Sequence, residues 1–351
     1  MSDLSQPPLP KLYTPQAWPE TASSGEDVSV IMRTKDRALL LPRALESVLG
    51  QSFKNWRLYL VNDGGDAPAL EASLAPYRTA FGDRLQVIHH ATSRGMEAAS
   101  NAGLAMAQGR FFAIHDDDDR WHEDFLSQTT AFLDASANRG YVGVATGCEI
   151  VQERIEDGEI VTVSQFPWAY FQPPVEFGAM LARNQMPPIT LLLRRGLLAR
   201  IGNYNENLPV LGDWEFILRV LAIGDIGAIE TSLAYYHHRV GAGQSIYANS
   251  VSAGLNTHRE TKAVLGNQIV RTALEAEPAM LGVLWPVLQA VEQCRTTLEA
   301  NRAVQEQVLQ RLTDIETHLL AVRRATELQG RLLAPLRWVS QRLRALKSRG
   351  T

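Results

Sequence analysis

Short apolar runs that suit β-strands alternate with helix-like segments over the first third of the chain. The strand-like runs are Val28–Met32, Arg57–Val61, Leu85–Ile88 and Arg110–Ile114. Such an alternation favours a parallel sheet with helices on both of its faces. The sequence therefore predicts an α/β fold built on a mainly parallel central sheet.

Polar residues lie at the ends of three of these runs. Thr34 comes just beyond the first run, Asn62 and Asp63 follow the second, and Asp116–Asp119 follow the fourth. In open α/β sheets, ligands bind beyond the carboxyl ends of the strands. We therefore expect these side chains to line one cleft.

The run of four aspartates, Asp116–Asp119, points to a bound cation. Adjacent carboxylates repel one another, so a folded protein keeps them either solvated or neutralised. The apolar strand before the run and Trp121 after it argue against free solvation, and an acidic surface turn is the alternative. A hard divalent cation takes oxygen ligands and bridges to phosphate oxygens. The run therefore predicts Mn²⁺ or Mg²⁺ together with a substrate that carries a pyrophosphate.

Charge and cysteine content narrow the class of protein further. The net charge of -4 lacks the basic signature of a nucleic-acid-binding protein, so we expect no nucleic-acid partner. Cys148 and Cys294 fall in different predicted units, which favours free thiols and a reducing cytoplasm. Residues 1–26 lack the pattern of a secretory signal, and no run reaches the ~18 apolar residues of a membrane-spanning helix. We expect a cytoplasmic protein, or one peripheral to the inner face of the membrane.

The sequence favours long helices from about Leu255 onward. An unbroken 4,3 spacing with two polar interruptions is typical of the seam of a coiled coil. The seam positions are Val287, Val291, Cys294, Leu298, Asn301, Gln305, Val308, Leu312, Ile315, Leu319 and Val322. This pattern predicts a homodimer, and a helix packed on its own domain is the alternative.

The last segment, Arg331–Thr351, carries six basic residues and no acidic residue, and apolar residues are interleaved with them. This composition predicts a basic amphipathic helix. Such a helix favours peripheral contact with an anionic membrane. Packing against protein is the alternative, since amphipathic helices also serve that purpose.

Several segments, taken in order, resemble the inverting family 2 glycosyltransferases of the GT-A fold. They are Val28–Arg37, Ala44–Phe53, Val61–Gly65, Gly95–Gly109 and His115–Trp121, and the resemblance extends over residues 27–240. The last segment resembles the extended Asp-X-Asp motif of the family. The resemblance implies a GT-A domain that transfers a sugar, with inversion, from a nucleotide-diphosphate sugar to a glycan or lipid-linked acceptor. A UDP-sugar is the favoured donor.

The resemblance also implies which residues form the donor and metal sites. The donor would be bound by Arg33, Thr34, Lys35, Asp36, Asp63, Arg94, Asp116 and Asp117, and the metal by Asp116, Asp118 and His238. In this assignment Asp63 hydrogen-bonds the base and Asp118 is the main metal ligand. Because neighbouring residues on a strand point to opposite faces, at most one of His237 and His238 can reach the cleft.

The sequence departs from the family pattern at three of its positions. Asn62 stands in place of the usual first aspartate, Arg33 in place of a proline, and Ser100 in place of an arginine. These departures leave the identity of the donor open.

A second acidic pair, Asp213 and Glu215, lies in a segment that reads as the start of a helix. An inverting transfer needs a carboxylate that takes the proton of the acceptor hydroxyl. The resemblance places this general base at Asp213, with Glu215 in support. The alternative is that Asp213 caps the helix and Glu215 interacts with the helix dipole.

These patterns divide the chain into four segments. We expect a flexible leader at 1–26, the GT-A domain at 27–245, a helical coiled-coil extension at 246–330 and the basic tail at 331–351. A sugar nucleotidyltransferase is one alternative function, but Met32–Arg37 lacks the glycine-rich loop expected there. A non-catalytic scaffold that binds nucleotide-sugars is the other alternative. Hydrolysis of the donor by the pure protein would separate it from an enzyme.

Overall fold

The computed structural model describes residues 17–19, 25–241, 247 and 255–347, with the side chains of residues 255, 316 and 319–347 outside the description. The chain divides into two compact units, Met1–Asn267 and Gln268–Thr351. No helix among the described residues is long and apolar enough to cross a membrane.

The described residues of the first unit form one sheet of nine strands. They are β1 (Val28–Thr34), β2 (Trp56–Asp63), β3 (Leu85–His90), β4 (Phe111–Asp116), β5 (Arg120–Trp121), β6 (Gly143–Glu156), β7 (Glu159–Pro167), β8 (Leu191–Arg194) and β9 (Ile226–Arg239). The strand order is β3-β2-β1-β4-β8-β6-β9-β5, and β7 pairs with β6. The first four strands in this order are mutually parallel, and β8 joins them antiparallel to β4.

The helices lie between and after these strands. They are α1 (Leu41–Leu49), α2 (Ala67–Leu74), α3 (Arg78–Phe81), α4 (Met96–Met106), α5 (Phe125–Asp134), α6 (Phe177–Ala182), α7 (Leu198–Ile201), α8 (Gly212–Leu221), α9 (Leu255–Ala276) and α10 (Met280–Lys347). The predicted α/β class with a helical C-terminal region is confirmed. The mixed parallel and antiparallel pairing of the strands beyond β4 was not predicted, because it brings together segments that are far apart in the sequence.

The core forms on both faces of the sheet. Val30 and Met32 of β1 belong to one buried cluster, and Ile31 between them belongs to the other. This alternation follows from the two-residue period of a strand. On the second face α4 approaches very closely, because a side chain at Gly103 would place its Cβ 2.5 Å from Ile31 Cγ2. The close approach holds α4 against the middle of β1.

Register sets the functional edge of the sheet. Thr34 of β1 pairs with Asn62 of β2, and Arg33 pairs with Asp116 of β4. The carboxyl ends of these strands therefore meet at one edge. Thr34, Asp63, Asp116 and Asp117 line one cavity there, whereas Asn62, Asp118 and Asp119 of the expected set do not line it.

Two boundaries differ from those expected. Trp18 donates its backbone N–H to Arg139 O at 3.0 Å, and buried Glu26 accepts from Tyr59 Oη at 2.7 Å, although both residues fall in the predicted leader. At the other end, Thr261 and Leu265 of α9 are buried, and the first unit extends to Asn267 rather than to residue 245. Long-range packing moves both boundaries, and local composition does not reveal it.

Candidate functional site

Two cavities open at the carboxyl ends of the parallel strands. The first has a volume of about 390 Å³, and we call it the strand-end cavity. It is lined by seven of the eight residues predicted to bind the donor, namely Arg33, Thr34, Lys35, Asp36, Asp63, Asp116 and Asp117. Arg94 is not among the residues that line it, and its guanidinium pairs instead with Glu206 Oε2 at 3.2 Å. The structure thus brings most of the predicted set together.

Asp63 organises the wall of the strand-end cavity. Its carboxylate accepts from His90 Nδ1 at 2.8 Å, from Ser93 Oγ at 2.6 Å and from the backbone N–H groups of Arg94 and Gly95 at 2.8 and 3.0 Å. These donors outweigh the effect of burial and lower the pKa of Asp63. In this geometry the carboxylate holds the loop before α4, and its direct contact with a base stays a prediction.

Asp117, Asp118 and Asp119 of the acidic run are buried, and arginine side chains pair with Asp116, Asp117 and Asp118. Asp118 Oδ2 accepts from Arg37 Nη1 at 3.1 Å and from Arg239 Nη2, and Arg43 donates to the backbone carbonyl of Asp118. Burial alone would raise the pKa of Asp118, but Arg239 and Arg37 outweigh it and lower the pKa. Burial raises the pKa of Asp117 to about 7. The surface-turn alternative is therefore wrong, because three of the four aspartates are buried.

This arrangement alters the expected metal site. Among the described residues, no three Asp, Glu, His or Cys side chains gather in a way that could hold a metal ion. Asp118, predicted as the main ligand, is paired with guanidinium groups instead. Asp116 accepts from Arg33 through Oδ1, and His238 Nε2 is buried with no hydrogen-bond partner among the described residues. His237 faces away and contacts Glu153 Oε1 at 2.6 Å, as strand alternation requires.

The second cavity, of about 250 Å³, contains the predicted base, and we call it the Asp213 cavity. Asp213 lies in the first turn of α8, and its Oδ2 accepts from Asn184 Nδ2 at 2.9 Å. Burial raises the pKa of Asp213, which makes its carboxylate a stronger base. The capping alternative is wrong, because Leu211 occupies the N-cap position and no side chain caps the helix.

Glu215 does not share this cavity. Its Oε1 accepts a hydrogen bond from Arg219 Nε at 2.7 Å, and Arg219 lies one turn further along α8. Arg219 in turn donates to the carbonyl of Asn203 at 2.9 Å. The prediction that Glu215 supports the base therefore differs from the structure, in which Glu215 anchors a neighbouring loop through Arg219.

Glu97 is a site residue that the sequence did not reveal. It lies in the first turn of α4, is only 4 % exposed and lines the Asp213 cavity. Burial raises its pKa to about 7, and the Arg33 guanidinium opposes this rise. Its position in a first helical turn resembles an ordinary partner of the helix dipole, so no local signal marks it.

Two of the three departures from the family pattern are in contact with each other. Arg33 Nη1 donates to Ser100 Oγ at 3.3 Å. The third departure, Asn62, forms a local turn, since its Oδ1 accepts from Gly65 N at 3.0 Å. The guanidinium beside position 100 thus comes from Arg33 on β1. In the family pattern the arginine stands at position 100 itself, which lies on α4.

Comparison with known proteins finds that part of the chain is similar to glycosyltransferases. The sequence model described as "Glycosyl transferase family 2" matches residues 29–187. EpsE of Bacillus subtilis, a glycosyltransferase by name, is 34% identical over 131 residues, which cover 37% of this chain and 46% of EpsE. A "PGL/p-HBAD biosynthesis glycosyltransferase" of Mycobacterium bovis is 28% identical over 194 residues, which cover 54% of this chain and 68% of that protein. The chain thus spans between about half and two thirds of the length of these relatives.

Among solved structures, S. aureus TarS 1-349 in complex with UDP-GlcNAc is 21% identical, with a TM-score of 0.48 over 67% of this chain and 65% of TarS. The mannosyltransferase PcManGT of Pyrobaculum calidifontis, in complex with GDP-Man and Mn²⁺, is 16% identical, with a TM-score of 0.43 over 65% and 61% of the two chains. The sequence match over residues 29–187 carries this similarity, and the mainly parallel sheet fits the α/β fold expected from it. Residues 29–187, somewhat less than half of the chain, are thus similar to glycosyl transferase family 2.

Proposed function

We propose that this chain is an inverting glycosyltransferase, which moves a sugar from a nucleotide-diphosphate sugar to a hydroxyl of a glycan or lipid-linked acceptor. One observation carries the proposal. The strand-end cavity and the Asp213 cavity share Arg33, Met96 and Asp116 as lining residues. A donor in the first cavity and an acceptor in the second would therefore meet at these three residues.

The strand-end cavity suits the donor. Arg33, Lys35 and Arg37 line it and offer three cationic groups to a diphosphate. Charge-assisted hydrogen bonds of this kind are short and strong. A UDP-sugar is the favoured donor in the proposal. Asp63 fixes the loop at Ser93 and Gly95, and it lines the cavity where it would contact the base.

The Asp213 cavity suits an acceptor sugar. Trp168 and Tyr236 line it together with Asp213, and their ring centroids lie 6.2 Å apart. Aromatic side chains offer an apolar face and a polar edge, which suits a sugar ring with both apolar and hydroxyl surfaces. This wall would orient the acceptor hydroxyl toward the base.

Asp213 would act as the general base. Its carboxylate takes the proton of the acceptor hydroxyl while the acceptor oxygen attacks the anomeric carbon from the face opposite the leaving group. The bond from the anomeric carbon to the diphosphate oxygen breaks, and its electron pair leaves with the diphosphate. The configuration of the anomeric carbon is inverted by this single displacement.

A divalent cation, Mn²⁺ or Mg²⁺, is part of the proposal. Asp116 and His238 fit it, because Asp116 hydrogen-bonds Arg33 through one oxygen only and His238 Nε2 is buried without a hydrogen-bond partner among the described residues. Asp118 does not fit it in the described geometry. The cation would neutralise charge on the diphosphate of the donor.

The test is a panel of UDP- and GDP-sugars, each with Mn²⁺ or Mg²⁺, assayed for thermal stabilisation and for release of the nucleoside diphosphate. A donor that binds only the folded protein raises its apparent stability. We expect one donor to stabilise the protein and to be hydrolysed slowly without an acceptor. Stabilisation with no hydrolysis and no transfer to any glycan or lipid-linked acceptor would indicate a scaffold instead.

The basic tail supports a second element of the proposal, peripheral contact with the inner face of a membrane. Residues 331–347 continue the helix α10, and their side chains lie outside the described residues. Each basic residue near an anionic surface contributes about 1 kcal/mol. Co-sedimentation with phosphatidylserine vesicles should fall when residues 331–351 are removed, and equal pelleting would contradict membrane contact.

A further inference from the structure

Arg33 occupies the place where the two cavities meet. Of the described residues, only Arg33, Met96 and Asp116 line both cavities. The reacting anomeric carbon must reach the leaving diphosphate on one side and the acceptor hydroxyl on the other. Residues shared by the two cavities therefore face the reacting atoms, and Arg33 is the cation among these three.

The guanidinium of Arg33 donates three hydrogen bonds to neighbouring side chains. Nε donates to Asp116 Oδ1 at 2.9 Å, Nη2 donates to the same oxygen, and Nη1 donates to Ser100 Oγ at 3.3 Å. The side chain is only 11% exposed. A guanidinium has five N–H groups, so these three hydrogen bonds leave one N–H on Nη1, on the side of Glu97, and one on Nη2 for a ligand.

Glu97 forms an ion pair with the same guanidinium. Its Oε2 lies 3.5 Å from Arg33 Nη1 and has no hydrogen-bond partner among the described residues. Glu97 also abuts the turn that carries the base, since a Cβ at Gly212 would lie 2.2 Å from Glu97 Oε1. The buried carboxylate of Glu97 thus contacts both Arg33, where the two cavities meet, and Gly212 at the start of α8.

We propose that Arg33 is a catalytic residue that binds the diphosphate as it leaves, and that Glu97 is the positioning residue that keeps the guanidinium at the junction. This inference rests on the proposed function. During transfer the bond from the anomeric carbon to the diphosphate oxygen breaks, the electron pair stays on that oxygen, and the acceptor proton goes to Asp213. Arg33 exchanges no proton, and its contact strengthens as negative charge develops on the diphosphate.

The same contacts could instead serve only to tie β1 to β4 and α4. The two roles differ in what they change. A structural role affects the binding of donor and product alike, whereas a leaving-group role acts mainly in the transition state and on the more highly charged product. The ratio of product affinity to donor affinity therefore separates them.

The first experiment compares Arg33→Gln with wild type. We expect kcat to fall by ~100-fold, as for the loss of one preorganised donor to a developing charge. Calorimetry should also show a larger loss of affinity for UDP or GDP than for the intact sugar donor. The matched control is Arg110→Gln, because Arg110 also pairs with two carboxylates, Asp27 and Asp134, but lines neither cavity. An unchanged kcat in a folded Arg33→Gln variant would overturn the proposal.

The second experiment tests Glu97 with a double-mutant cycle. Glu97→Gln alone should lower kcat by ~10-fold, a loss of about 1.4 kcal/mol in transition-state stabilisation, with little change in KM for the donor. If Glu97 acts through Arg33, adding Glu97→Gln to Arg33→Gln should cause no further loss, since coupled residues are not additive. Losses that multiply would refute the positioning role.

Failure of this inference can be told apart from failure of the proposed function. If the wild-type chain neither hydrolyses nor transfers any sugar donor, the proposed function fails. If the wild-type chain is active and Arg33→Gln is equally active, only the inference fails. Calorimetry with UDP and GDP gives a readout on Arg33 that does not depend on turnover, and equal affinities in wild type and variant would also overturn it.

Discussion

Asp118 is held by arginine side chains from two distant parts of the sequence. The Arg239 side chain is fully buried and pairs with Asp118 Oδ2, while Arg37 reaches the same oxygen from the loop after β1. Removing one partner of a buried pair leaves the other charge uncompensated. The acidic run therefore contributes to the stability of the fold as well as to the chemistry of the cleft.

We predict that Asp118→Ala lowers the free energy of unfolding by about 3 kcal/mol in the absence of metal, because Arg239 then stays buried without its carboxylate. Urea denaturation of the metal-free protein checks this value. The control is Asp83→Ala, because Asp83 is exposed and should change stability by less than about 0.5 kcal/mol. A stable Asp118→Ala variant that fails to bind donor with Mn²⁺ would instead favour Asp118 as a metal ligand.

A second prediction at this scale concerns the base. Asp213→Asn should reduce transfer by ~100-fold to ~10,000-fold, the usual range for loss of a general base, while donor binding is retained. Asparagine has nearly the same shape and can still contact Asn184, so the fold should be preserved. Transfer kinetics and donor calorimetry check the two parts.

Glu215→Gln makes the informative comparison for this prediction. Its ion pair with Arg219 is partly exposed, and such a pair within a helix contributes about 0.5 kcal/mol or less. We expect near wild-type turnover from this variant. A large loss in Glu215→Gln together with an active Asp213→Asn would move the base to Glu215.

At the scale of elements, α10 is a continuous helix of 68 residues. Its described seam residues are exposed, with Leu298 at 68% and Leu312 at 56%. Exposed apolar seams of this kind bury themselves against a second helix in coiled coils. The seam therefore supports the proposed homodimer, in which a second copy of α10 covers it.

We predict that the full chain sediments as a dimer and that Leu298→Glu combined with Leu312→Glu makes it a monomer, because four charges would then lie within the seam of the dimer. Sedimentation equilibrium measures the mass. Ala303→Glu, which lies on the same helix away from the seam, should leave the dimer intact.

In a parallel dimer the two copies of exposed Cys294 would also cross-link under mild oxidation. A monomeric wild-type chain would contradict the dimer.

At the scale of the whole molecule, the first unit includes the beginning of α9. Lys262 Nζ lies 5.2 Å from the ring of Trp214, and His258 lines the Asp213 cavity. The cleft is therefore completed by residues that the sequence assigned to the helical extension. Where the unit ends matters for its stability and for acceptor binding.

We predict that a chain truncated after Asn267 unfolds at the same temperature as the first unit of the full chain, and that a chain truncated after residue 245 is less stable by about 2 kcal/mol. Loss of the buried Leu265 side chain accounts for most of that difference. Thermal unfolding of the two truncated chains measures it. Equal stability would indicate that α9 contributes nothing to the first unit.

The sequence alone determined the parts of this protein that depend on neighbours along the chain. The four strands predicted in the first third are present, with ends that differ by no more than three residues. Strand-end polar residues such as Thr34 and Asp116 line the expected cavity. Burial of every second residue and runs of similar residues are local patterns, and they can therefore be recognised from the sequence alone.

Tertiary structure alone decided which charges meet. Arg239 pairs with Asp118 from 121 positions away in the sequence. Glu97 pairs with Arg33 because α4 packs closely on β1. Glu215 pairs with Arg219 and does not line the Asp213 cavity. Each of these pairings depends on the relative placement of elements that are distant in sequence. Electrostatic interactions in a buried site act through space, so the pattern of residues along the chain cannot specify them.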